Sequence, residues 1–240
     1  MKRPLYVKDR IIVALDVSDA ESCMRLLDKL YPAIKMFKVG SELFTAAGRE
    51  ALNAIDRKGA RSFLDLKFHD IPATVRKAAA AAAALGADMF NVHAMGGLEM
   101  MKAAAESAKE VSAKLRIEKP AVLGVTVLTS MGKKELEELG IARTVAEEVM
   151  FLAELAKKAG LDGVVASAGE TALIKKNLGK DFIVVTPGVR PAWADKNDQK
   201  RVATPKEAFE GGSDYVVIGR PITGHKDPKA AAEMIIGELE

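Results

Sequence analysis

The sequence has little cysteine, few aromatic residues and no long apolar run. Its one cysteine, Cys23, precludes a disulfide bond within the chain and fits a reducing compartment, so we expect a cytoplasmic protein. The segment 1–10 lacks the apolar core of a signal peptide, and no apolar run approaches the ~20 residues that a membrane-spanning helix needs. We therefore expect no membrane partner.

A strong charge of either sign is also missing. The formal net charge of +3 is too small to indicate a nucleic-acid-binding surface, so we expect no nucleic acid partner. The slight positive excess is compatible with a small anionic substrate. Apolar residues make up 49% of the 240 residues, which is ample for a large core, and charged residues make up 29%.

Short β-branched runs recur along the chain and predict strands. They lie at 10–16, 34–39, 61–66, 88–92, 121–127, 163–166, 182–185 and 215–218. Such apolar runs are typical of strands buried on both faces of a parallel sheet. The stretches 19–30, 72–85 and 144–159 predict helices between them. Eight alternating units without a linker predict an α/β fold, a single (β/α)8 TIM barrel, as one domain over 1–240.

Polar residues follow the predicted strands, where a TIM barrel carries its active site. They are Asp16, Lys38, Asp65, Lys67, Asp70, Asn91, His93, Thr126, Thr129, Ser167, Thr186, Arg190, Gly219 and Arg220. Asp65 and Lys67 lie two residues apart, so both side chains should point to the same face of their strand. A buried charge is costly unless it is paired, so we predict an alternating array of charges. Such an array can be catalytic or a structural network of ion pairs.

Some of these residues also have an ordinary structural explanation. Asp16 can cap the following helix, and Lys38 can reach solvent from its strand end. His93 has no second histidine at ligand spacing, and we interpret it as structural. Asp16, Asp65 and Asp70 could hold Mg²⁺ in principle, but the interleaved lysines compete for these carboxylates. We expect neither a metal nor a cofactor.

The segments after the last two predicted strands indicate a phosphate site. Thr186-Pro-Gly-Val-Arg190 follows the seventh strand, and Ile218-Gly-Arg220 follows the eighth. Barrels often bind phosphate with these loops, because glycine lets the backbone approach a ligand and arginine suits phosphate oxygens. The polar stretch 191–201, which contains Gln199, has no periodicity. It predicts either a lid over the substrate or a surface loop.

One segment, Asp65-Leu-Lys-Phe-His-Asp-Ile-Pro-Ala-Thr74, resembles the signature of the orotidine 5′-monophosphate decarboxylase family. The shorter Asp-x-Lys-x-x-Asp pattern also occurs in the related 3-keto-gulonate-6-phosphate decarboxylases and hexulose-phosphate synthases, from which His69-Asp-Ile-Pro72 separates this chain. Further segments agree in order over about 10–225, and the layout resembles the bacterial short form. They include Ala14-Leu-Asp16, Phe37-Lys-Val-Gly40, Asn91-Val-His-Ala94 and Val127-Leu-Thr-Ser130.

The resemblance implies a cofactor-free homodimer that converts orotidine 5′-monophosphate to uridine 5′-monophosphate, the last step of de novo pyrimidine nucleotide synthesis. It implies that Lys67 donates the proton, that Asp65, Asp70 and Lys38 complete the catalytic array, and that Asp70 and Thr74 reach the neighbouring subunit's site. The substrate-binding residues that it implies are Asp16 and Lys38 for the ribose, Thr129 and Ser130 for the pyrimidine, Arg190, Gln199, Gly219 and Arg220 for the phosphate, and also Asp65, Ile71, Pro72, Thr74 and Pro187.

Two other functions stay open. One is a Mg²⁺-dependent sugar-phosphate decarboxylase or aldolase of the same barrel superfamily, which would need a metal ion. The other is a non-catalytic sensor of a phosphorylated ligand. A sensor needs the phosphate-binding residues but not the set of Asp65, Lys67 and Asp70, whose presence argues against it.

Overall fold

A computed structural model, which describes residues 6–194 and 203–239, contains a closed barrel of eight parallel strands. Each strand pairs with the next along the chain, and the eighth pairs with the first. The fold class and all eight strands predicted from the sequence are confirmed. The strands are β1 (Ile11–Ala14), β2 (Met36–Gly40), β3 (Arg61–Phe68), β4 (Met89–His93), β5 (Ala121–Val125), β6 (Gly163–Val165), β7 (Ile183–Thr186) and β8 (Tyr215–Ile218).

Helices follow the strands and surround the barrel. They are α1 (Ala20–Leu30), α2 (Ser41–Ala47), α3 (Arg49–Arg57), α4 (Pro72–Ala84), α5 (Gly97–Leu115), α6 (Lys133–Glu138), α7 (Val145–Lys158), α8 (Ala168–Leu178), α9 (Pro205–Glu210), α10 (Arg220–Thr223) and α11 (Pro228–Gly237), with short 3-10 helices at Val7–Arg10 and Ala94–Gly96. The predicted helices at 19–30, 72–85 and 144–159 are α1, α4 and α7, and their bounds are confirmed to within a residue at each end. Within the described residues, no helix is long and apolar enough to cross a membrane.

Local signals in the sequence fix where several helices begin. The carboxylate of Asp19 accepts the backbone N–H of Ser22 at 2.7 Å and so caps α1, and this hydrogen bond lowers the pKa of Asp19. Thr144 and Glu147 form a reciprocal capping box at the start of α7. Pro72 occupies the first turn of α4, where its missing N–H costs nothing.

Side chains alternate along each strand between two apolar layers. Ile12, Met36 and Phe63 belong to the layer that fills the barrel interior. Their neighbours, such as Val13 and Leu64, belong to the larger layer between the strands and the surrounding helices. Because both layers exclude water, the strands read as continuous apolar runs in the sequence.

Aspartates tie three alternate strands to their predecessors at the amino end of the barrel. Asp88, just before β4, donates its N–H to the carbonyl oxygen of Ser62 at 3.1 Å, while its carboxylate accepts the N–H of Ser62 at 2.8 Å. Asp162 and Asp214, just before β6 and β8, make the same reciprocal pair with the second residue of β5 and of β7. These carboxylates satisfy buried backbone groups at the end of the barrel opposite the predicted site.

Candidate active site

Two adjoining cavities open where the strands end. The first, which we call the charged cavity, has a volume of about 290 Å³ and is lined by Lys38, Asp65 and Lys67 together with apolar side chains. The second, the arginine cavity, measures about 170 Å³ and is lined by Arg190 and Arg220 among others. Both cavities share residues from β2, from the loop after β7 and from β8, so they form two parts of one cleft.

Four charged side chains alternate in sign along the cleft, from the arginine cavity into the charged cavity. The Nζ atom of Lys67 lies 2.7 Å from Oδ1 of Asp65, and the Nζ atom of Lys38 lies 3.3 Å from Oδ2 of the same carboxylate. Lys38 Nζ also lies 2.9 Å from Oδ1 of Asp16. The structure thus brings together the array Asp16–Lys38–Asp65–Lys67, which the residue pattern predicted in part.

Lys38 is the buried centre of this array, and its side chain is only 10% exposed. Burial acts to lower the pKa of Lys38, but the carboxylates of Asp65 and Asp16 outweigh burial and raise that pKa above its ordinary value. Lys38 is therefore held as a cation. The interpretation that this lysine simply reaches solvent is wrong, because its ammonium group is enclosed between two carboxylates.

The alternative interpretation of Asp16 as a helix cap is also wrong. Asp19 caps α1, while the carboxylate of Asp16 accepts a hydrogen bond from Lys38. The side chain of Asp16 is 53% exposed and lines the arginine cavity. One of its oxygen atoms therefore remains available to a ligand that spans the cleft.

Lys67 adopts an unusual backbone conformation, with φ of 51°. Its N–H donates to the side-chain oxygen of Asn91 at 2.8 Å, and the amide nitrogen of Asn91 donates to Oδ1 of Asp65 at 2.7 Å. Asn91 lies at a predicted strand end but was not among the predicted site residues. The signals that could have indicated Asn91 are its position at the end of an apolar run and its place in the segment Asn91-Val-His-Ala94.

The predicted residues at the start of α4 lie apart from the array. Asp70, Ile71, Pro72 and Thr74 are exposed, and none of them belongs to the lining of the charged or the arginine cavity. The carboxylate of Asp70 accepts the N–H of Ile71 at 2.6 Å, and Ile71 is 65% exposed. Within one chain, the structure does not bring these four residues into the site.

The remaining predicted ligands line the cleft where they are described. Thr129 and Ser130 line the charged cavity, Gly219 lines the arginine cavity, and Pro187 lines both. Gln199 lies outside the described residues. Arg190, which precedes the segment 191–201, donates its N–H to the carbonyl oxygen of Ala203 at 2.9 Å.

His93 lies beside the array without lining either cavity. Its ring stacks on His69 at 5.3 Å between centroids, and burial, with the charges of His69 and Lys67, lowers the pKa of His93. The ring stacking fits the expectation of a satisfied structural histidine only in part, because the buried Nδ1 atom of His93 has no hydrogen-bond partner among the described residues. Among the residues that the structure describes, no group of three or more His, Cys, Asp or Glu side chains could hold a metal ion.

A TIM barrel whose mouth places ammonium and carboxylate groups beside two arginines is of the class that suits a phosphorylated, anionic ligand. The model of the orotidine 5′-phosphate decarboxylase / HUMPS family matches residues 9–235, and the chain belongs to this family.

Named relatives agree with that assignment. The chain is 52% identical to orotidine 5′-phosphate decarboxylase of Moorella thermoacetica, over 98% of this chain and 94% of the relative. It is 50% identical to the protein of the same name from Syntrophotalea carbinolica, over 97% and 95% of the two chains. The crystal structure of orotidine 5′-phosphate decarboxylase from Lactobacillus acidophilus superimposes with a TM-score of 0.85 at 41% identity, covering 97% of this chain and 99% of that chain.

Proposed function

We propose that this chain, as a single TIM-barrel domain, decarboxylates orotidine 5′-monophosphate to uridine 5′-monophosphate, the last step of de novo pyrimidine nucleotide synthesis. The observation that carries the proposal is the array Asp16–Lys38–Asp65–Lys67 within a cleft that continues into an arginine-lined cavity. The names of the relatives in its family support the same substrate.

The cleft divides into regions that match the three parts of such a nucleotide. The arginine cavity suits the phosphate, because Arg190 and Arg220 can offer forked donors to its oxygen atoms. Asp16 and Lys38 lie between the cavities, where the ribose hydroxyls would lie. The pyrimidine would then occupy the charged cavity, with the hydroxyls of Thr129 and Ser130 along its wall.

Loss of CO2 from the orotate ring presents a specific electrostatic problem. The bond from carbon 6 to the carboxylate breaks, and the electron pair stays on carbon 6 in an sp² orbital orthogonal to the ring π system. Delocalisation into the ring cannot stabilise this pair, so a fixed positive charge beside carbon 6 is the effective device. The charged cavity contains such a charge in the ammonium group of Lys67.

Lys67 is better placed than Lys38 to give the proton. Lys38 is 10% exposed and lies between the carboxylates of Asp16 and Asp65, whereas the side chain of Lys67 is 37% exposed at the cavity. In the proposed step, Nζ of Lys67 transfers a proton to carbon 6, and the resulting neutral amine regains a proton from solvent.

Asp65 would have two effects on this step. Its carboxylate holds Lys67 at 2.7 Å, which keeps the ammonium group aligned. It would also lie close to the substrate carboxylate, so that repulsion between the two is relieved as CO2 leaves. Contacts remote from the reacting carbon, above all those with the phosphate, would supply the binding energy that offsets this repulsion.

Turnover of orotidine 5′-monophosphate tests the proposal. The ultraviolet absorbance of the orotate ring changes as it becomes uracil, and we expect this change at equal rates with and without EDTA. The ammonium groups of Lys38 and Lys67 already occupy the carboxylates that a divalent ion would need. Loss of turnover with EDTA, restored by Mg²⁺, would favour a metal-dependent sugar-phosphate enzyme. Tight nucleotide binding without turnover would favour a sensor.

We propose further that the chain works as a homodimer in which Asp70 and Thr74 complete the partner's site. The exposed start of α4, with Ile71 65% exposed, supports this arrangement, because these residues do not join the site of their own chain. A twofold axis near α4 would place each copy of this surface at the other copy's cleft.

Mixing two inactive variants tests this sharing of residues. The Lys67→Ala and Asp70→Ala proteins, each of which we expect to be inactive alone, are mixed in equal amounts. The mixture is then unfolded and refolded. Half of the dimers then contain one chain of each kind, and one of their two sites has both residues intact. We expect about a quarter of the wild-type activity for random pairing. No recovery, with mixed dimers shown to form, would mean that Asp70 does not act across subunits.

A further inference from the structure

The ladder between β3 and β4 is interrupted beside the charged array. Leu64 pairs with Phe90 and Phe68 pairs with Val92, so four steps along β3 match only two along β4. Within this bulge, the backbone of Lys67 adopts a left-handed conformation that residues other than glycine rarely adopt. Such a conformation persists only where the surroundings hold it in place.

The side chain of Asn91 supplies what the interrupted ladder lacks. Its Oδ1 atom accepts the N–H of Lys67 at 2.8 Å, in place of a backbone carbonyl of β4. Asn91 itself is fully buried, so no solvent could take over this bond. The bulge therefore has a specific side-chain support directly at the residue that carries the reacting ammonium group.

The other end of the same amide orients the carboxylate between the two lysines. Nδ2 of Asn91 donates to Oδ1 of Asp65 at 2.7 Å, and this same oxygen accepts from Nζ of Lys67 at 2.7 Å. Since Oδ1 must face a backbone donor, Nδ2 must face Asp65, and the orientation of the amide is fixed. An amide offers an acceptor on one side and an uncharged donor on the other without any change of protonation.

We propose that Asn91 is a positioning residue for the decarboxylation step, acting on both Lys67 and Asp65 without touching the substrate. Its oxygen holds the backbone from which Lys67 projects, and its nitrogen fixes the carboxylate that aligns the ammonium group. This inference rests on the proposed function for its effect on catalysis. The support of the Lys67 backbone by Asn91 can be measured without any substrate.

Two substitutions distinguish the support of the Lys67 backbone from the orientation of the Asp65 carboxylate. Asn91→Asp, in its ionised form at the alkaline end of a pH series, keeps an acceptor for the N–H of Lys67 but replaces the donor to Asp65 with a negative charge. Asn91→Ala removes both groups. We expect both variants to lose about 10²-fold in kcat, while KM for orotidine 5′-monophosphate and Kd for uridine 5′-monophosphate stay within about threefold. The arginine cavity, which holds the phosphate, is unchanged in both variants.

Hydrogen exchange of the Lys67 amide gives a readout that does not depend on activity. We expect Asn91→Ala to speed the exchange of this N–H by about 10²-fold and Asn91→Asp to leave it protected. Ser112→Ala is the matched control. Ser112 is also buried, and its hydroxyl donates to the carbonyl oxygen of Ala108 at 2.7 Å within α5, apart from the array and from both cavities.

The outcomes separate as follows. A kcat loss in both Asn91 variants, with Ser112→Ala within about threefold of wild type at a similar Tm, supports the proposal. A kcat within about threefold of wild type in both Asn91 variants, or a loss as large in Ser112→Ala, overturns it. If the wild-type chain does not turn over orotidine 5′-monophosphate, the proposed function has failed. Even in that case, unchanged hydrogen exchange of the Lys67 N–H in Asn91→Ala would show that Asn91 does not support the backbone of Lys67.

Discussion

Replacement of Lys67 with alanine is expected to lower kcat for orotidine 5′-monophosphate by at least about 10⁴-fold, because the change removes a fixed charge and a proton donor together. The affinity for uridine 5′-monophosphate should change by less than about tenfold, since Lys67 does not line the arginine cavity, where we propose that the phosphate binds. Single-turnover kinetics and a binding titration measure the two quantities on the same preparation.

Two further variants show what the missing group supplies. Lys67→Arg keeps a positive charge, but a guanidinium is a very weak acid, so we expect it to remain nearly as inactive as the alanine variant. Lys35→Ala is the matched control, because Lys35 is also ion-paired, at 3.2 Å to Asp9, but precedes β2 at the opposite end of the barrel. Lys67→Ala activity within tenfold of wild type would end the assignment of the proton donor.

Replacement of Arg220 with alanine is expected to lower kcat/KM for orotidine 5′-monophosphate by about 10³-fold, as the loss of a charge-assisted contact to phosphate implies. Arg220 begins α10 directly after β8 and lines the arginine cavity. Since binding energy from the phosphate is used at a distant reacting carbon, both KM and kcat should worsen. Steady-state kinetics over a range of substrate concentrations separates them.

Orotidine, the same compound without phosphate, isolates the role of Arg220. We expect wild type and Arg220→Ala to act on orotidine at equally low rates, because neither can use a phosphate contact. Arg25→Ala serves as a control, since Arg25 pairs with Glu21 on the surface of α1 and lines neither cavity. If Arg220→Ala lowers kcat/KM equally for both substrates, then Arg220 acts on folding or on the reacting group and not on phosphate binding.

The barrel could be predicted from the sequence because its strands are buried on both faces. Runs such as 11–14 and 215–218 carry no polar residue, and the hydrophobic effect alone then dictates their place. Asp65, Lys67 and Arg220 could be found by the same logic, since they stand where those runs end. A position at the carboxyl end of a barrel strand is itself a signal of function.

The pairing of Asp65 with Lys67 could be predicted from their spacing, but the hydrogen bonds that hold Lys67 in place could not, because periodicity does not determine hydrogen-bond register. The bulge at Lys67 depends on two residues of β3 that have no counterparts on β4, and the sequence pattern of β3 continues through it unchanged. The role of Asn91 follows only once that bulge is seen. Local preferences left open that Asp16 caps a helix and that Lys38 reaches solvent. In the structure the two side chains form an ion pair with each other instead.

The most direct test of the central claim is the product balance of wild-type turnover. Orotidine 5′-monophosphate labelled in its carboxyl group is incubated with a catalytic amount of the chain and EDTA, and labelled CO2 and uridine 5′-monophosphate are both measured. We expect one CO2 for each uridine 5′-monophosphate, over many turnovers for each chain. Labelled CO2 no higher than in the enzyme-free blank, from folded and dimeric protein, would contradict it.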